Sequence, residues 1–142
     1  MLRRRQRQHR QSKPLDMGET TPKRTLIVGA GSAGRALLAQ IRDLGSFHIV
    51  GFVDDNAMLR NHTIEGHRVL GRTEELETIV RHKDVEQVVL CMPTASRSII
   101  ARIVRVCERC NTAVVTVPSL PEILSGKLDI DTLQLDFEFK YK

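Results

Sequence analysis

Between residues 24 and 118 the chain alternates two kinds of segment. RTLIVG at 24–29, FHIVGFVDD at 47–55, HRVLG at 67–71, EQVVLCM at 86–92 and TAVVTVP at 112–118 are short runs with apolar residues at consecutive positions. Extended backbone sends consecutive side chains to opposite faces, so such runs predict strands covered on both sides. Between them the apolar spacing becomes helical. Ala33, Leu37, Ile41 and Leu44 predict one helix, with Gly45 as its stop. Leu76, Ile79 and Val80 predict a second, with Thr73 as N-cap, Glu74 and Glu75 in the first turn and Arg81, His82 and Lys83 in the last, the charge order a helix dipole favours. A third is expected over 95–110, with Ile99, Ile100, Ile103, Val104 and Cys107 on one stripe. Residues 56–66 read as a polar loop, and a short helix is expected at 119–125.

Buried strands that alternate with amphipathic helices imply a parallel sheet covered on both faces. The expected fold class is α/β: a Rossmann-like, doubly wound, mostly parallel five-stranded sheet with helices on both faces. The domain is expected over 23–130, because 1–22 hold little apolar content and are broken by Pro14, Gly18 and Pro22. Residues 131–142 form a tail in which Leu135, Phe137, Phe139 and Tyr141 alternate with polar residues, the period of a half-buried strand. An exposed strand of that kind predicts pairing with another sheet, hence a homo-oligomer.

Charge separates the arm from the domain. The chain of 142 residues has a net charge of +5, but Arg3, Arg4, Arg5, Arg7, Arg10 and Lys13 face no acid within 1–13, and without them the remainder stands at −1. A near-neutral domain argues against nucleic acid as its partner, while the arm suits a disordered or membrane-proximal basic segment. Three cysteines and no secretory signal point to a reducing, cytoplasmic setting, with the cytoplasmic side of a membrane as the variant the arm suggests.

The candidate chemistry begins where the first strand ends, at Gly29-Ala30-Gly31-Ser32-Ala33-Gly34. A G-x-G-x-x-G that follows a strand and opens a helix is the fingerprint of dinucleotide binding: one glycine for the turn, one for approach of the pyrophosphate, one for close packing of helix on strand. Asp54 closes the second strand 25 positions after Gly29, near the spacing of an acid that accepts ribose hydroxyls, with Asp55 as its neighbour and competitor. Both acids also suit a plain turn. At the end of the fourth strand, Pro93, Thr94, Ser96 and Arg97 are candidates for ligand contact, although the hydroxyls are better suited to capping the next helix. The implied cofactor is NAD(H), with a nucleotide-sugar or coenzyme A as alternatives.

Other motifs read as structure. Cys107-x-x-Cys110 lies at the end of its helix rather than the start, where a dipole would favour thiolate, and five scattered histidines lack ligand spacing, so neither redox chemistry nor a metal is expected. Arg102, Arg105 and Arg109 are read as a solvated helix face.

Five segments in order, LIVGAGSAG, IVGFVDD, IEGHRVLGRTEEL, VVLCMPTASR and VTVPSLPEILSGKL, resemble the first Rossmann-like domain of the polysaccharide-biosynthesis nucleoside-diphosphate-sugar dehydratase/epimerase family over roughly 24–130. The resemblance implies UDP-sugar metabolism of the 4,6-dehydratase or 4-dehydrogenase kind. In that family membrane helices precede this domain, which gives the basic arm a place, and a catalytic domain with a Tyr-x-x-x-Lys pair follows it. Here the one tyrosine is Tyr141, followed only by Lys142, and 129–142 do not match the family's usual continuation. The expectation is therefore a binding module without catalytic residues, the alternative being a regulatory domain that senses a nucleotide or coenzyme A.

Overall fold

The computed structural model describes residues 21–93 and 95–117. Strand β1 (Lys23–Val28) is followed by helix α1 (Ser32–Ile41), β2 (Phe47–Val53), β3 (Thr63–Ile64), β4 (His67–Gly71), α2 (Leu76–His82), β5 (Gln87–Leu90), α3 (Arg97–Arg109) and β6 (Ala113–Thr116). One-turn 3-10 helices occupy Ala57–Leu59 and Thr73–Glu75. The sheet order is β3-β4-β2-β1-β5-β6, parallel throughout except for the β3–β4 pair. Sequential strands run outward from β1 in one direction and then, from β5, in the other. The reversal leaves a crevice at the carboxyl ends of β1 and β5, where ligands of doubly wound sheets sit.

Each face has its own core. Ala33, Leu37, Leu38 and Ile41 of α1 cover Ile27, Ile49, Phe52 and Val89. On the other face Leu76, Ile79 and Val80 of α2 and Ile103, Val104, Val106 and Cys107 of α3 cover Leu26, Val28, Val53, Val88 and Leu90. These strand residues are buried at consecutive positions, as the apolar runs require. The α/β, Rossmann-like class with helices on both faces thus holds.

Three details differ from the expectation. The sheet has six strands, because Thr63–Ile64 folds back on His67–Gly71 through Glu65 and Gly66, both at positive φ (52° and 84°). Helix α1 ends at Ile41, not at Gly45: Leu44 N–H turns back to the Ile41 carbonyl at 3.0 Å, and the Leu44 side chain is exposed. Thr73 is not an N-cap; Arg72 holds that position and Thr73 lies within the 3-10 turn. The expected helix at 119–125 and the tail at 131–142 lie outside the described residues.

Candidate functional site

The glycine loop starts where β1 stops. Gly29 N–H donates to Val53 O at 2.7 Å, and Gly29 itself sits at φ +112°, a left-handed conformation that costs other residues energy. A Cβ there would overlap the Cys91 carbonyl at the end of β5, and a Cβ on Gly34 would overlap the Gly29 carbonyl. Both glycines are thus demanded by the protein's own backbone. Gly31 is different. Its φ of −81° and ψ of −155° are open to any residue, and a Cβ there would meet nothing within 4 Å.

Gly31 is also the N-cap of α1. It offers no side chain to accept the helix's first N–H groups, and the first turn carries no acid. The first intrahelical bond is Arg35 N–H to Gly31 O at 3.0 Å, which leaves the N–H groups of Ser32, Ala33 and Gly34 ahead of the ladder. Ser32 is exposed and Ala33 and Gly34 are buried. The other helical starts are closed: Ser96 Oγ accepts Ile99 N–H at 3.3 Å, and Asp55 serves the Thr73 turn.

The two acids part company here. Asp54 Oδ2 accepts the Ala30 N–H at 2.7 Å and its Oδ1 accepts the Asn56 N–H at 2.8 Å, so this carboxylate lies against the glycine loop. Asp55 faces the other way. Its oxygens take Thr73 N–H at 2.7 Å and Thr73 Oγ1–H at 2.9 Å, and Arg102 donates to the same hydroxyl at 2.8 Å. Asp55 is therefore a helix-terminus partner, separated from the loop that Asp54 joins.

The remaining candidates are less concentrated. Pro93 is exposed, Thr94 lies outside the described residues, Ser96 caps α3, and Arg97 is exposed in the first turn of that helix. Among the arginines of α3, Arg102 is bound to Thr73 and Arg109 to Glu77 at 2.9 Å, on the wall of a groove of about 310 Å³ between α2 and α3. None of the three cysteines is in a disulfide and all are buried, and burial pushes the Cys91 and Cys107 thiols up to about 12, which keeps them protonated and inert. One residue that sequence reasoning passed over is Arg35, directly after the third glycine: its Nε donates to the Ala30 carbonyl at 3.2 Å.

Comparison with known proteins agrees with the fold. The family described as CoA-binding domain matches residues 1–118. The chain belongs to that CoA-binding domain family. The chain is similar to the capsular polysaccharide biosynthesis protein CapD of Staphylococcus aureus, with 24% identity over 115 residues, covering 79% of this chain and 19% of that protein. The chain thus spans about a fifth of that relative's length. Among solved structures it resembles UDP-D-quinovosamine 4-dehydrogenase from Vibrio fischeri, at 32% identity and a TM-score of 0.64, covering 77% of this chain and 88% of that one. RSP, a Rex-family repressor solved with β-NADH, shares the fold at 21% identity and a TM-score of 0.58, covering 82% of this chain and 61% of that one. The chain is a Rossmann-like nucleotide-binding domain related to those of polysaccharide-biosynthesis sugar dehydrogenases.

Proposed function

We propose that the domain binds NAD(H) as a module of UDP-sugar metabolism in polysaccharide biosynthesis, without catalysing a reaction itself. The ligand's pyrophosphate rests on the N–H groups that open α1, in front of Gly31, and its adenine ribose meets Asp54. Pro93, Ser96 and Arg97, between β5 and the first turn of α3, are expected to border the far side. Gly31 carries this reading: unlike Gly29 and Gly34, it answers no need of the folded chain, and space for a bound group is the remaining reason for a residue without a side chain. The likeness to a repressor solved with β-NADH supports a dinucleotide, and the family description supports coenzyme A as the second reading. Each presents a pyrophosphate to the same donors.

Asp54 separates cofactors. A carboxylate welcomes ribose hydroxyls and repels a 2′-phosphate by about 1 kcal/mol or more, so NAD(H) is expected to bind more tightly than NADP(H). Calorimetric titration with NAD, NADP, coenzyme A and UDP-sugars tests this reading. Gly31→Val is expected to abolish binding, and Asp54→Ala to weaken NAD by about 1–3 kcal/mol. Equal binding of NADP, or NAD binding untouched by Gly31→Val, refutes it.

The setting follows from the same reading. Three buried cysteines outside any disulfide suit the reducing cytoplasm, the basic arm suits proximity to a membrane surface, and the alternating tail suits a homo-oligomer. Among the described residues no helix is long and apolar enough to cross a membrane. We do not extend nucleic acid to this chain: salt-sensitive retention on DNA that vanishes with residues 1–22 would reverse that.

A further inference from the structure

We infer that Arg35 is the counter-charge for the ligand's phosphate, a specificity-determining residue of the glycine-loop site; this rests on the nucleotide reading above. Arg35 follows Gly31 by four positions and Ser32 by three, the spacings that share one helical face. Helical side chains lean towards the N-terminus, so Arg35 covers the turn formed by Gly31 and Ser32 rather than its own. The contact to the Ala30 carbonyl at 3.2 Å fixes the guanidinium beside the loop, and it occupies only Nε.

Charge accounting leaves the Arg35 guanidinium without an ion pair among the described residues, as it does others such as Arg68 and Arg105, but Arg35 is the one bonded to the glycine loop. Arg42, Arg60, Arg81 and Arg109 each pair with a glutamate at 2.7–2.9 Å. Arg35 has no carboxylate within ion-pair distance among the described residues; its link to Asp54 runs through Ala30, whose N–H goes to Asp54 and whose carbonyl goes to Arg35. The loop thus holds an acid on one side and a base on the other. The acid suits a ribose hydroxyl and the base suits a phosphate, for which a guanidinium supplies forked donors in the required plane. The site is therefore built for a nucleoside bearing a phosphate ester, not for a nucleoside alone.

The competing role is bracing: the Nε contact would merely hold the loop in shape. Bracing and charge are separated by a ligand without phosphate. The 142-residue chain is titrated with ADP and with adenosine, as unaltered protein and as Arg35→Gln, Arg35→Lys and, for a basic residue at the other end of α1, Arg42→Ala. Arg35→Gln is expected to weaken ADP by about tenfold or more while leaving adenosine unchanged, Arg35→Lys to recover part of the loss, and Arg42→Ala to change neither. The ADP affinity of the unaltered chain falls with added salt more steeply than that of Arg35→Gln. ADP binding within twofold of the unaltered chain in Arg35→Gln, or an equal loss for ADP and adenosine, overturns the role of Arg35 alone. Absence of ADP binding by the unaltered chain overturns the nucleotide reading itself.

Discussion

Gly31 is the residue at which stability and function are expected to oppose each other. As the N-cap of α1 it leaves the helix's first donors unserved, and aspartate is among the side chains best suited to serve them. Gly31→Asp is expected to raise the melting temperature of the free protein, since a better cap contributes a few tenths of a kcal/mol over glycine and a charge at the N-terminus about 0.3–1 kcal/mol. The same change fills the open space and puts an anion where the phosphate goes, so nucleotide binding is lost. Thermal denaturation with and without NAD reads both effects, and a stabilised variant that still binds refutes the assignment. Gly34→Ala behaves oppositely: its methyl collides with the Gly29 carbonyl, a clash of backbone with backbone that costs about 3 kcal/mol or more. Gln87 gives a second residue-scale test. Its amide is 1% exposed and neither Oε1 nor Nε2 has a partner among the described residues. Gln87→Met, close in volume, removes that desolvation cost and is expected to stabilise by about 1 kcal/mol; a lower melting temperature contradicts it.

Elements were legible where their pattern is long and hidden where contacts across the chain decide them. The apolar runs of β1, β2 and β5 announce strands buried on both faces, and Ser96 announces the start of α3. The two-residue β3 did not announce itself, because its hairpin turn is Glu65-Gly66, and glutamate at a left-handed position is not the usual signature of such a turn. Leu44 fits the period of α1, yet the chain turns at Ile41. Thr73 looked like a cap, but the group that serves this turn comes from Asp55, 18 residues away, which no local window contains. The carboxylate of Glu75 illustrates how the same turn is held from outside. Arg60 grips it with two bonds at 2.8 and 3.0 Å and Arg72 N–H adds a third, holding its pKa down to about 2. A depressed carboxylate contributes stability above its unfolded value of about 4.3, and that contribution disappears as pH falls through 4.3 towards 2. Glu75→Gln is therefore expected to lose less stability than the unaltered chain between pH 4.5 and 2, by a small margin because the pair is solvent-exposed. Parallel acid titrations of the two proteins would contradict it.

At the scale of the molecule, strand order decides where a ligand can sit, and the glycine motif lies at that place, between β1 and α1. What the linear motif does not contain is the division of labour within it. Asp54 and Asp55 are adjacent and chemically identical, yet just past the end of β2 one bonds to the glycine loop and the other to the 3-10 turn at Thr73. The result is one acid against the glycine loop, where, among the described residues, Asp55 turns away to Thr73 and the Cys91 thiol is buried and held protonated. Acid–base chemistry on a sugar needs a group within hydrogen-bond reach of the proton it moves and poised to exchange it. Asp54 is occupied with two backbone N–H groups. Binding and turnover are thus expected to separate in this chain. At a concentration 100 times its dissociation constant, NAD is expected to stabilise the protein by ~2.7 kcal/mol, seen as a rise in melting temperature. UDP-sugars incubated with NAD and the same protein are expected to remain unconverted, with no absorbance from NADH and no 4-keto product by mass spectrometry. Product that forms steadily and is lost in Asp54→Ala would place a catalytic group in the crevice and overturn the assignment of this domain to binding alone.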